Sequence, residues 1–127
     1  MIFIIVPVFN TKNYLNRCLD SIRSQSYREW KCFLIDDGST DGSSEICMDY
    51  ESKDSRFSYK LQKYRGGVSA ARNYGIRCAI EQSAVEGKKT DFICFVDSDD
   101  YIECDYLEKT IQPYLSNKDI DLVICNY

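Results

Sequence analysis

The sequence predicts an α/β fold, a mostly parallel sheet flanked by helices. Three observations predict it. Short apolar runs rich in β-branched residues recur along the chain. Stripes of helical period separate them, and a polar turn bearing Gly or Asp follows nearly every run. Strands that alternate with helices build βαβ units, and ligands of such sheets bind beyond the carboxyl ends of the strands.

Each element follows from its residues. Residues 2–6 are apolar and β-branched and are closed by Pro7, which reads as a buried strand. Leu15, Cys18, Leu19 and Ile22 recur at i, i+3, i+4 and i+7, the stripe of a helix. Residues 31–35 form a second strand, ended by "DDGSTDGS", which is turn chemistry. A short helix is predicted over 43–50. Phe57, Tyr59 and Leu61 alternate within a third, half-exposed strand over 57–63. Gly66-Gly67 then breaks the chain, and Val68, Ala71, Gly75, Cys78 and Ala79 form a helical stripe of small residues suited to close packing on a sheet. A fourth strand is predicted over 92–96. A helix follows over 106–114, where Pro113 predicts a kink or an early end. A fifth strand is predicted over 122–125.

Composition narrows the function. A chain of 127 residues with 44% hydrophobic and 13% aromatic content fits one globular domain. Its formal charge of -4 argues against nucleic acid as a partner. The charge is uneven: between 53 and 77 seven Lys and Arg stand against Asp54 alone. Such a stretch suits a phosphorylated ligand that carries a metal, although most of these residues read as a solvated face. The chain has seven Cys, no C-x-x-C and no His, which excludes zinc fingers, His-based triads and Cys–His pairs. Several Cys lie in apolar runs as small hydrophobes, so a reducing, cytoplasmic compartment is expected. "MIFIIVPVF" is too short to span a bilayer and lacks a basic flank, so no transmembrane segment is expected.

The stretch "FVDSDD" carries the chemistry. An apolar run ends in Asp97, Asp99 and Asp100, whose like charges repel. Helix capping would justify them, and so would a hard divalent cation. In an extended segment Asp97 and Asp99 share a face while Ser98 points away, so both carboxylates could address one cation bridged to a diphosphate. EF-hand readings fail. With Gly42 at the sixth position the twelfth is Met48, and with Asp97 first the sixth is Ile102. No G-x-G-x-x-G or Walker A sequence occurs. Gly66 and Gly67 permit close backbone approach before a helix N-terminus that favours phosphate. Arg72, about a turn in, could pair with phosphate or hold a carboxylate of the acidic loop. Asp36 and Asp37 are neighbours, so one of them is expected to face the crevice, with Ser39 and Asp41 as caps. Asp100 is expected to cap the next helix. Phe9 is either core packing or a stacking platform for a base.

Together, "IIVPVFN", "FLIDDGSTDGS", "GGVSAARNYGI" and "FVDSDD", in this order at strand ends over residues 2–107, resemble the nucleotide-binding part of a family 2 glycosyltransferase with the GT-A fold. The resemblance implies that residues 1–127 are the nucleotide-sugar-binding part of one catalytic domain, incomplete at the C-terminus. It implies a nucleotide-diphospho-sugar donor, UDP-linked, with Mn²⁺ or Mg²⁺, and an acceptor that is a carbohydrate or lipid-linked. Pro7, Phe9 and Asn10 would line the base and ribose pocket. Asp37 would accept from the base edge, and Arg72 would position the diphosphate. Asp97 would meet ribose or metal, and Asp99 would be the principal metal ligand. The implied reaction is an inverting displacement by an acceptor hydroxyl, in bacterial polysaccharide synthesis at or near the inner face of the membrane. Its carboxylate base is expected beyond Tyr127. Two alternatives stand beside this reading. One is a Mg²⁺-dependent phosphotransfer or receiver-like domain, although a haloacid-dehalogenase pattern would need Thr or Val where Tyr101 stands. The other is a non-catalytic nucleotide-binding fragment.

Overall fold

The computed structural model describes residues 1–87 and 92–124. Its elements run β1 (Ile2–Val8), α1 (Lys12–Arg23), β2 (Trp30–Asp36), α2 (Ser43–Lys53), β3 (Phe57–Leu61), α3 (Gly67–Glu86), β4 (Phe92–Phe95) and α4 (Tyr106–Ser116). Among the described residues the strands form one sheet in the order β3-β2-β1-β4, every pair parallel. The predicted fold class therefore holds.

Strand alternation divides the core in two. Ile2, Ile4, Val6 and Val8 of β1, with Cys32 and Leu34 of β2, point to one face. There they meet Leu15, Cys18, Leu19 and Ile22 of α1, Cys47 and Tyr50 of α2, and Leu107 and Ile111 of α4. Phe3, Ile5, Phe33 and Ile35 point to the other, against Ala71, Cys78 and Ala79 of α3. Gly75 is what brings α3 this close: a Cβ there would stand 2.4 Å from Ile5 Cγ2. The predicted stripe of small residues is this contact.

Two expectations need correction and one is met only in part. Helix α4 does not end early at Pro113 but continues to Ser116, anchored by Leu107 and Ile111 beneath it. Residues 122–124 form no strand, and Cys125 lies outside the described residues. Strand β1 runs through Pro7 rather than stopping before it. Pro7 lies two residues after Ile5, whose carbonyl accepts from Val96 N–H at 3.1 Å, on the side where β4 has already ended. The missing N–H of Pro7 therefore costs no ladder bond.

The connections go from β1 to β2 on one side, while β4 joins β1 on the other. The switch point of the sheet thus lies between β1 and β4, where the loops after these strands part and leave a crevice.

Candidate active site

The crevice at the switch point has a volume of about 390 Å³. Pro7, Phe9, Asp37, Arg72, Asp97 and Asp99 all line it, together with Thr11, Arg65, Val68 and Ser98. Four turns separated in sequence thus meet in one place. Of the residues that the resemblance assigns to nucleotide or metal, Asn10 is the exception. Its Oδ1 accepts from Thr40 N–H at 2.8 Å and its own N–H donates to Ser39 Oγ at 3.1 Å, so it ties the loop after β1 to the turn after β2. Its φ of 51° is a conformation Asn tolerates better than most residues.

The loop after β2 is locked. Asp36 is fully buried and accepts from Ser39 N–H, Gly38 N–H, Ser44 Oγ and Tyr59 OH. Burial pushes its pKa up, but the hydrogen bonds from Ser44, Ser39 and Tyr59 outweigh burial and leave it below the ordinary value. Asp37, 4% exposed, points the other way, as neighbours in a strand must. Its two oxygens accept from Gly66 N–H and Gly67 N–H, each at 2.8 Å, and so tie down the start of α3. Each carboxylate oxygen has a second lone pair, so Asp37 retains acceptor capacity toward the crevice. Asp41 accepts from Lys12 N–H and from Ser43, joining the starts of α1 and α2, but Thr11 and Gly42 hold the two N-cap positions, and Ser39, also expected as a cap, accepts from Asn10 N–H instead.

The loop after β4 is open. The strand ends at Phe95 and a turn follows, closed by Asp100 N–H donating to Asp97 C=O at 3.0 Å. The extended geometry expected for D-S-D is therefore replaced by a turn. Ser98, expected to point away, is buried, lines the crevice and is bonded by Thr11 Oγ1 at 3.0 Å. Asp97 Oδ1 pairs with Arg72 Nη2 at 2.7 Å, which realises one of the two roles considered for this arginine. Asp99 and Asp100 are exposed. Asp100 caps no helix, because α4 begins only at Tyr106. Beneath the turn, the Cys18 thiol donates to Asp97 C=O at 3.5 Å. Burial pushes this thiol up to about 12, and the charges of Asp100, Asp99 and Asp97 add to the effect. It is a protonated packing group, not a nucleophile.

Arg65, Thr11 and Ser98 were not foreseen as crevice residues. Arg65 had one usable signal, its place directly before Gly66-Gly67. Thr11 and Ser98 had none, because the bond joining them spans 87 positions.

A parallel sheet whose switch-point crevice is lined by an aromatic ring, carboxylates and an arginine has the architecture of the GT-A fold. Comparison with known proteins carries this further. Residues 3–127 match Glycosyl transferase family 2, and the chain belongs to that family. It is 40% identical over 126 residues to Glycosyltransferase GlyA of Streptococcus pneumoniae, covering 99% of this chain and 16% of that protein. It is 38% identical over 124 residues to the putative glycosyltransferase EpsH of Bacillus subtilis, covering 98% of this chain and 33% of that one. Among solved structures, S. aureus TarS 1-349 in complex with UDP-GlcNAc superposes with a TM-score of 0.78 at 27% identity. That match covers 92% of this chain and 32% of the TarS 1-349 chain. The chain thus spans a minor part of the length of these relatives. Family membership leaves no observation in favour of the phosphotransfer or receiver-like reading.

Proposed function

We propose that residues 1–127 are the donor-binding part of a longer glycosyltransferase domain, one that transfers a sugar from a UDP-sugar to an acceptor hydroxyl with inversion. The observation that carries this reading is the meeting of Phe9, Asp37, Arg72 and Asp99 in one crevice. The UDP-GlcNAc held by TarS supports the donor class. In this reading Pro7 and Phe9 face the base and ribose, and Asp37 accepts from the base edge. Arg72 meets the diphosphate while holding Asp97. The setting is bacterial polysaccharide synthesis on the cytoplasmic side, and among the described residues no helix is long and apolar enough to cross a membrane.

The residues fit a divalent cation such as Mn²⁺ or Mg²⁺. Asp99 and Asp97 offer hard carboxylate oxygens at the crevice. Among the described residues no group of three or more His, Cys, Asp or Glu is arranged to cage an ion. One or two carboxylates, completed by diphosphate oxygens and water, suit an ion taken up together with its nucleotide. Bound there, the ion would neutralise charge on the departing diphosphate. Asp99 would be its main protein ligand, Asp97 would be steadied by Arg72, and the Ser98–Thr11 bond would fix the turn between them.

Thermal stability measured with UDP, GDP, CDP and dTDP, each with and without Mn²⁺, tests the proposal. UDP should raise the melting temperature in a metal-dependent way, because binding only the folded state stabilises it. Asp99→Asn should abolish that rise. A variant that responds like the parent would overturn the metal assignment, and a parent that responds to none of the four would overturn the donor reading.

A further inference from the structure

The two arginines of the crevice are held in different ways. Arg72 is paired to a carboxylate, Asp97. Arg65, in the loop between β3 and α3, is exposed, and its Cζ lies 4.1 Å from the ring centroid of Phe9. It belongs to no ion pair among the described residues. A cation on an exposed ring gains only about 0.5–1 kcal/mol, so its hold on Phe9 is weak and exchangeable. Its backbone is better anchored, because the next two residues, Gly66 and Gly67, donate both N–H groups to buried Asp37. Arg65 is thus a planar cation on an anchored stem, resting on the aromatic ring that lines the crevice.

We propose that Arg65 is the clamp of the base subsite. A nucleobase that enters lies on the ring of Phe9, and the guanidinium moves from Phe9 to the outer face of the base. The base is then held between a ring and a planar cation, both of which stack well on a flat π-system. Arg65 covers the apolar ring that the base will take. This inference rests on the nucleotide reading above and adds to it a residue directed at the base rather than at the diphosphate.

Titration of uridine, UMP and UDP into the protein with Mg²⁺, followed by NMR, tests the clamp in R65A and R65K. R65A should weaken all three ligands by the same factor, roughly three- to tenfold for a lost cation–π stack. R65K should fall between, since an ammonium keeps the charge without the flat face. The unliganded melting temperature of R65A should match the parent, as the side chain is exposed. No loss in R65A would overturn the clamp, and so would a loss that grows from uridine to UDP and fades with salt, the mark of a phosphate contact. In both cases the parent still binds UDP and the donor reading stands. A parent that does not bind UDP overturns both.

Discussion

The loops after β2 and β4 are close in composition and opposite in state. "DDGSTD" and "DSDD" both follow apolar strands and both concentrate carboxylates. In the first, Asp36 and Asp37 are 0% and 4% exposed, and their oxygens are met by backbone and side-chain donors. In the second, Asp97, Asp99 and Asp100 are exposed, and a pairing with Arg72 reaches only Asp97. The first loop is therefore fastening and the second is available for ligation. A buried carboxylate must be satisfied by the fold, whereas an exposed one is left to water or to a ligand.

The sharpest way to break this contrast is Asp36→Ala. It would strand the Ser44 and Tyr59 hydroxyls and two backbone N–H groups, and should cost about 3 kcal/mol in urea unfolding. A cost below about 1 kcal/mol would show that the β2 loop is not the fastening described. The same residue sets a pH dependence. Its folded pKa is lowered, so the unfolded chain binds the proton more readily. The stability it contributes is complete above the ordinary carboxylate value of about 3.9 and is lost as pH falls through the folded value. Unfolding midpoints of Asp36→Asn and the parent should therefore converge in acid. If they stay parallel, the hydrogen bonds do not act as proposed.

Asp37→Ala should have a smaller effect, about 1–2 kcal/mol, as for a lost helix cap at the start of α3. It should also weaken UDP, because the loop that carries Arg65 loses its anchor. Unchanged stability would mean that the Gly66 and Gly67 donors find other partners. Smallest of all, Asp99→Asn and Asp100→Asn should change unliganded stability by less than about 0.5 kcal/mol, as for surface positions. A larger loss in either would place the β4 loop with the β2 loop and end the contrast.

The sequence by itself determined the order of the elements, the parallel character of the sheet and the edge at which the motifs collect. Hydrophobic period is a local property, and the apolar runs of β1 and β2 and the stripe of α1 state it plainly. The strand read at 122–125 is not formed over 122–124, because a short apolar run does not become a strand without a neighbour to complete its hydrogen bonds. What only the tertiary structure decided is which carboxylates remain open. Asp36 is closed by Tyr59 from β3, 23 positions on, and Asp37 by glycines 29 and 30 positions away. Arg72 reaches Asp97 across 25 positions, and Arg65 comes to rest on Phe9. The availability of a charge depends on donors that the folded chain brings to it. The spacing of a motif records the charge but not those donors.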